Sequence, residues 1–155
     1  MATINFKSVG QTQQEIVDST VTVANLPIGI KTPLRIAGSD GLLEMHYNLE
    51  DQIADNLRNL LLTNWGERLG QYYFGANLKP LTTEFVSQEN FDNEAVVRIK
   101  AAVERWLPFV DLIEFSSSVN RLENKNTAII NITISYSVPV IDVPEKKLQI
   151  TLYVL

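Results

Sequence analysis

The side chains that most often carry catalysis are scarce in this sequence. The chain has one histidine, His46, and no cysteine. With a single imidazole we expect neither a serine–histidine–aspartate triad nor a two-histidine metal site. The lack of cysteine excludes disulfides, thiolate metal sites and cysteine nucleophiles within the chain, and it fits synthesis in a reducing cytosol. We interpret His46 as a loop residue that precedes the first predicted helix.

Paired carboxylates are the remaining route to catalysis. Glycoside hydrolysis needs two carboxyl groups about 5 to 9.5 Å apart in a cleft and no cofactor. The candidates nearest to loops are Glu67, Glu84 and Glu89. Glu67 is followed by Arg68, and a neighbouring cation lowers a carboxyl pKa, whereas a general acid needs a raised pKa. We therefore expect no enzyme activity, no cofactor and no metal, with a carboxylate pair kept as the alternative.

Two further clusters have simple structural explanations. The glycines of residues 38–41 lack the spacing and the following Lys and Ser or Thr of a phosphate loop, so they indicate a turn. The charged residues 123–125 and the pair Lys146 and Lys147 predict a solvated rim, and lysines at the start of an edge strand discourage uncontrolled pairing with other chains.

Composition limits the classes of partner. The net charge is -5 and the pI is about 4.9, which opposes attraction to nucleic acid or to an anionic membrane surface. No apolar run reaches the roughly 20 residues of a membrane span, and residues 1–10 lack a signal-peptide pattern. With 155 residues, of which 45% are hydrophobic and 20% charged, the chain can form one ordinary core.

Apolar spacing predicts two helices. In residues 49–63 the stripe is Leu49, Ile53, Leu57, Leu60 and Leu61, with Asn48 as the N-terminal cap and Gly66 just beyond the end. In residues 93–107 the predicted cap is Asp92, and Pro108 stops the helix. The stripe of this second helix is Val96, Ile99, Val103 and Trp106. Residues 70–89, rich in aromatic side chains at their start, predict a packed loop between the two helices.

The last third of the chain alternates with a period of two. Residues 128–138 place isoleucines on one face and Asn131, Thr133, Ser135 and Ser137 on the other, which predicts a half-buried strand. Residues 147–154 alternate likewise, and residues 109–119 are a third strand. Short polar or proline-bearing connections favour a meander. The prediction is an α+β fold, with a three-stranded antiparallel sheet packed on two helices.

The N-terminal region has a different character. Residues 1–25 are polar and rich in glutamine, so we predict an arm, with a short strand at residues 20–23. Residues 26–36 carry two prolines and a glycine, which suit an extended segment. We expect a single α+β domain over residues 26–155.

The residues around the end of the first helix resemble a known family. Residues 56–63 lead through Asn64 and Trp65 into Gly66-Glu67-Arg68, and Phe74-Gly75 follows six residues later. This pattern is similar to the signature of baseplate wedge proteins of contractile-tailed phages, with relatives in type VI secretion systems. The resemblance covers roughly residues 26–155. This chain has Tyr72 and Tyr73 where the family often has a proline.

The resemblance implies a structural subunit of a virion tail baseplate, assembled in the host cytoplasm. It implies docking on other wedge subunits and templating of the tail sheath protein, whose strands join the subunit's sheet. The motif residues Gly66, Glu67 and Arg68 are implied in contacts to the wedge core; an intramolecular Glu67–Arg68 pair is an equal alternative. Nucleic acid, membrane and small-molecule partners are not expected.

The pattern of the last strand fits this role. A final strand at the margin of a sheet offers N–H and C=O groups to an incoming chain. Alternating apolar residues would set the register of the added strand. We therefore predict a partner interface along Leu148, Ile150, Leu152 and Val154. The alternative function is a peptidoglycan-degrading tail lysozyme, a label that proteins of this family have carried.

Overall fold

The computed structural model describes residues 26–38, 42–84, 88–121 and 128–154. The predicted arm, the predicted strand at residues 20–23 and the charged residues 123–125 lie outside this part, as does most of the predicted turn at residues 38–41. The described chain divides into two compact units, with the boundary between Gln52 and Ile53. The predicted arrangement of an arm before residue 26 and one domain after it stays a prediction.

The N-terminal unit contains a small antiparallel hairpin. Strand β1 (Gly29–Ile30) pairs with strand β2 (Met45–His46), in the register Gly29 opposite His46. Hydrogen bonds from Ile28 N to His46 O (2.7 Å) and from Lys31 N to Glu44 O (3.0 Å) extend the ladder. The segment predicted to be extended is therefore one side of a hairpin.

Helix α1 (Leu49–Leu62) starts where the cap was predicted. Asn48 Oδ1 accepts a hydrogen bond from Glu50 N at 3.1 Å, which satisfies one of the unpaired N–H groups at a helix start. Four residues of the predicted stripe, Ile53, Leu57, Leu60 and Leu61, are buried. The prediction was wrong for Leu49, which is 42% exposed because it stands in the first turn.

A four-residue helix, α2 (Leu81–Glu84), lies in the connection that was predicted to be a packed loop. The packing is confirmed for Ala76, Leu78 and Leu81, which are buried, but not for Tyr72 and Tyr73, which are more than half exposed. The helix itself was not predicted, because four residues are too few to show a 3.6-residue period.

Helix α3 (Gln88–Trp106) begins earlier than predicted. Asp92 lies inside this helix, so its predicted capping role is wrong. Its carboxylate instead accepts a hydrogen bond from Ser117 Oγ at 2.5 Å. The polar first turn hid the start of the helix, because it carries no apolar period. Buried Ile99 and Val103 confirm the predicted stripe at those positions.

The C-terminal sheet is the predicted meander. Strands β3 (Asp111–Arg121), β4 (Ala128–Val138) and β5 (Val143–Val154) lie in the order β3-β4-β5, all antiparallel. Ile132 pairs with Ser117 on one side and with Ile150 on the other. Strand β3 starts two residues later than predicted, because Val110 N closes a turn onto Leu107 O at 3.0 Å.

The connection between β4 and β5 is shorter than predicted. A 3-10 turn, Pro139–Ile141, is followed by Asp142 with φ 51, and β5 begins at Val143. The sequence predicted that the last strand begins at residue 147, whereas β5 already includes Pro144. Proline is tolerated near the start of an edge strand.

The core lies between one face of the sheet and the helices α1 and α3. It contains Ile130, Ile132, Ile134 and Leu148 from the sheet. Ser135, predicted on the polar face, is also buried at 2% exposure. No helix in the described part of the chain is long and apolar enough to cross a membrane.

Candidate functional site: the motif loop and the β5 edge

The predicted interface residues Gly66, Glu67 and Arg68 lie in a series of hydrogen-bonded turns, residues 64–75, which we call the motif loop. It starts directly after α1, where Thr63 Oγ1 donates to Asn59 O at 2.6 Å. Asn64 holds the next turn, because its Oδ1 accepts from Lys79 N at 3.1 Å while its Nδ2 donates to Glu67 Oε1 at 2.9 Å. Asn64 therefore fixes the start of the loop to the chain beyond it.

Glu67 is held as a carboxylate. Its Oε2 accepts from Asn64 N at 2.7 Å, in addition to the bond from the Asn64 amide. The backbone hydrogen bond from Asn64 is the largest cause that lowers the pKa of Glu67, followed by the Asn64 side chain, and Lys79 adds a smaller lowering. The expectation of a lowered pKa is confirmed, although the main cause is Asn64 and not Arg68.

Two glycines shape the loop. Gly66 has φ +84 and its N–H donates to Tyr72 O at 2.8 Å, so it closes the loop on itself and does not cap α1. Gly75 has φ +109, and a Cβ there would stand 2.1 Å from Thr63 O. Backbone bonds from Ala76 N to Leu60 O (3.0 Å) and from Asn77 N to Thr63 O (3.3 Å) hold the chain in that close approach.

Arg68 and Glu67 contact different partners. The Arg68 guanidinium carbon lies 4.2 Å from the centre of the Phe74 ring, a cation–π contact. Phe74 in turn meets Trp106 of α3 edge to face, with 5.2 Å between ring centres. Within the described residues, no ion pair joins Glu67 to Arg68, so the alternative of an intramolecular pair finds no support.

The motif loop also carries exposed apolar side chains that were not among the predicted interface residues. Tyr72 and Tyr73 are more than half exposed and contact each other edge to face at 5.0 Å, and Leu69 is fully exposed. Trp65 packs edge to face on Tyr73 at 5.8 Å, and its Nε1 donates to Gly75 O at 3.2 Å. Clustered exposed apolar surface marks interaction sites in soluble proteins.

An open cleft of about 590 Å³ runs beside the loop. Glu67 and Arg68 line it together with Phe74 and Trp106, and the other lining residues are Asn56, Asn59, Leu60, Thr63 and Leu107. Among the described residues that line this cleft, Glu67 is the only acid. The second carboxylate that glycoside hydrolysis requires is therefore not brought to Glu67 here.

The other predicted carboxylates lie elsewhere. Glu84 is the last residue of α2, and Glu89 is exposed in the first turn of α3. His46 is not a loop residue as predicted; it lies in β2 and is 5% exposed. No cluster of three or more potential metal ligands occurs in the part of the chain that is described.

Strand β5 lies at the margin of the sheet. Within the described residues its one neighbouring strand is β4. Leu148 and Ile150 point into the protein's own core, at 4% and 3% exposure, and Leu152 is half-buried. The side chains of Leu148 and Ile150 are therefore already packed in the core and are not exposed along the strand. The predicted interface role of these residues and of Val154 stays a prediction.

The fold resembles two solved structures, although no family model and no curated protein matches the sequence. A chain of the anti-feeding prophage baseplate, solved by cryo-EM, aligns with a TM-score of 0.57 over 70% of this chain and 82% of that one, at 17% identity. A crystal structure described as a "putative tail lysozyme" from Geobacter sulfurreducens aligns with a TM-score of 0.54 over 72% of this chain and 96% of that one, at 22% identity. At these identities the likeness establishes a shared fold, and it agrees with the resemblance to baseplate wedge proteins read from the motif.

Proposed function

We propose that this chain is a structural subunit of a contractile-tail baseplate, which docks on wedge partners and accepts a strand of the sheath protein at β5. The observation that carries the proposal is that β5 lies at the margin of the sheet. The fold that contains this sheet resembles that of a baseplate chain. An edge strand with free backbone groups pairs readily with an added strand, and this pairing makes little demand on side-chain identity. We propose that the protein is located in the tail baseplate, which is assembled in the host cytoplasm.

Docking on the wedge core is assigned to the motif loop. Its exposed Leu69, Tyr72 and Tyr73 offer apolar area, and the internal bonds of Asn64 and the glycines keep the loop rigid before binding. A preorganised loop loses less conformational entropy on association. Arg68→Ala should therefore leave the melting temperature of the isolated subunit nearly unchanged and reduce its recruitment into wedges. Normal recruitment of a less stable Arg68→Ala subunit would contradict this assignment.

Strand addition is tested with prolines at two neighbouring positions of β5. Thr151 and Leu152 are both half-buried, and successive N–H groups in a strand point to opposite edges. One of the variants Thr151→Pro and Leu152→Pro removes a backbone hydrogen bond to β4, and this variant should have a lower melting temperature. The other variant removes a backbone N–H that points away from β4. The variant with the near-normal melting temperature should fail to nucleate sheath in a polymerisation assay imaged by electron microscopy. Normal nucleation by that variant would refute strand addition at β5.

A peptidoglycan hydrolase is the second candidate, favoured by the description of the Geobacter sulfurreducens structure and by the open cleft beside Glu67. The lowered pKa of Glu67 opposes a role as general acid, which requires a proton at neutral pH. A zymogram on peptidoglycan decides between the two functions, with Glu67→Gln as control. Clearing that Glu67→Gln abolishes would overturn the structural assignment.

A further inference from the structure

Four side chains from the motif loop and α3 contact one another in a row. The Arg68 guanidinium carbon lies 4.2 Å from the Phe74 ring centre, Phe74 lies 5.2 Å from Trp106, and the Arg105 guanidinium carbon lies 5.2 Å from the Trp106 ring centre. Two cations thus flank a pair of aromatic rings. We call this row of four side chains the arginine ladder.

The two guanidinium groups of the arginine ladder have no anionic partner within the described residues. The other arginines of the same unit for which contacts are described are paired: Arg58 bonds Asp55 at 2.9 Å and Arg98 bonds Glu94 at 3.0 Å. Arg68 and Arg105 are both exposed, and the contacts described for their guanidinium groups are with ring faces. A cation–π contact restricts the side chain but leaves the N–H donors at the guanidinium edge available.

We propose that the arginine ladder binds two carboxylates on an acidic segment of a neighbouring baseplate subunit. The inference rests on the proposed function and names the chemistry of the wedge partner. A guanidinium presents a planar fork of donors that matches a carboxylate with two parallel hydrogen bonds. Because three short contacts separate Arg68 from Arg105, the two carboxylates lie within about three turns of an α-helix, at 5.4 Å per turn.

The surroundings of the arginine ladder favour a peptide over a polyanion. Trp106 separates the 590 Å³ cleft that contains Glu67 from a second cleft of about 420 Å³ that contains Glu94. The continuous row of charges on a phosphate backbone would meet these carboxylates as well as the two cations, and the net charge of the whole chain is -5. A segment with a few acidic side chains and apolar residues between them fits both clefts and meets the two cations locally.

The first experiment measures binding to the baseplate partners with which the wild-type chain co-purifies from the particle. Arg105→Ala should weaken that affinity about tenfold, the effect of losing one charge-assisted hydrogen-bonded pair. Lys100→Ala removes an exposed cation from the same helix, outside the arginine ladder, and should bind like the wild type. Melting curves of both variants report whether the fold is intact.

The second experiment identifies the ligand group. Arg68→Lys and Arg105→Lys place an amine at each end of the ladder, and a carbodiimide joins amines to carboxylates in contact with them. Mass spectrometry of the treated complexes should find amide links from both positions to Asp or Glu of one partner segment. Links at neither position, or displacement of the partner by inorganic phosphate or duplex DNA, would contradict a carboxylate ligand.

The outcomes separate the two proposals. If the wild-type chain is recovered in no baseplate complex, the proposed function fails and the inference fails with it. If the wild-type chain assembles but Arg105→Ala binds as tightly as Lys100→Ala, the inference alone is wrong.

Discussion

Gly75→Ala should be the most destabilising glycine substitution in the motif loop. At φ +109 an alanine is strained, and its Cβ would stand 2.1 Å from Thr63 O, a backbone atom that cannot rotate away. Gly70→Ala is the matched control, since Gly70 has φ +80 and nothing within 4 Å of the added Cβ. The loss of stability in Gly70→Ala measures the backbone strain of a positive φ alone. The additional loss in Gly75→Ala measures the steric clash of the added Cβ with Thr63 O.

The magnitudes follow from these two terms. A left-handed backbone costs an alanine about 1 to 2 kcal/mol, and forced overpacking adds about 1 to 3 kcal/mol. At about 2 to 4 °C per kcal/mol for a chain of this size, Gly70→Ala should lower the melting temperature by about 2 to 8 °C and Gly75→Ala by about 4 to 20 °C. Thermal unfolding followed by circular dichroism measures both. Equal losses for the two variants would refute the argument that Gly75 is required by the contact with Thr63.

Two further predictions concern single hydrogen-bonded groups. The folded pKa of Glu67 is lowered, so its contribution to stability is present above the unfolded pKa of about 4.3 and is lost as pH falls through the folded pKa. In an acid denaturation series, the difference in stability between wild type and Glu67→Gln should therefore shrink below about pH 4.3. A difference that grows there would contradict the assigned hydrogen bonds. Asp92→Ala removes the acceptor of the Ser117 hydroxyl and should lower the free energy of unfolding, measured in urea, by about 1 to 3 kcal/mol. Asp92→Asn should have an intermediate effect, because its amide oxygen still accepts a hydrogen bond. An unchanged free energy of unfolding for Asp92→Ala would refute a stabilising role for this bond.

The parts of the fold that were predictable are those whose burial repeats with a fixed period. Ile130, Ile132 and Ile134 alternate with polar residues, and Leu57, Leu60 and Leu61 recur at helical spacing, so the sheet and α1 follow from the sequence. The boundaries were less predictable, because a polar first turn such as that of α3 looks like a loop until its tertiary contacts form. Asp92 shows the limit: the same side chain can cap a helix or bond a facing strand.

The candidate site was predictable in position but not in contacts. The motif resemblance located Glu67 and Arg68, yet adjacency in sequence suggested that they contact each other. The loop turns them toward different groups, Asn64 for the carboxylate and Phe74 for the guanidinium. The second arginine, Arg105, was missed because it reaches the site through tertiary packing of α3 on Phe74 by way of Trp106. Its place beside a tryptophan in the sequence is only a weak signal.

Asn64 connects the two proposed surfaces, and this connection gives a last prediction. Besides holding Glu67 and the Lys79 backbone, Asn64 lines a cleft of about 250 Å³ whose other walls include Leu152 and Tyr153 of β5. Asn64→Ala should therefore loosen the motif loop and the wall next to β5 together, and reduce both wedge recruitment and sheath nucleation. Arg68→Ala, which leaves these bonds intact, should reduce recruitment alone, so nucleation is compared on wedges loaded with equal amounts of each variant. If Asn64→Ala nucleates sheath as well as Arg68→Ala does under those conditions, the two surfaces are independent and the strand site does not depend on the loop.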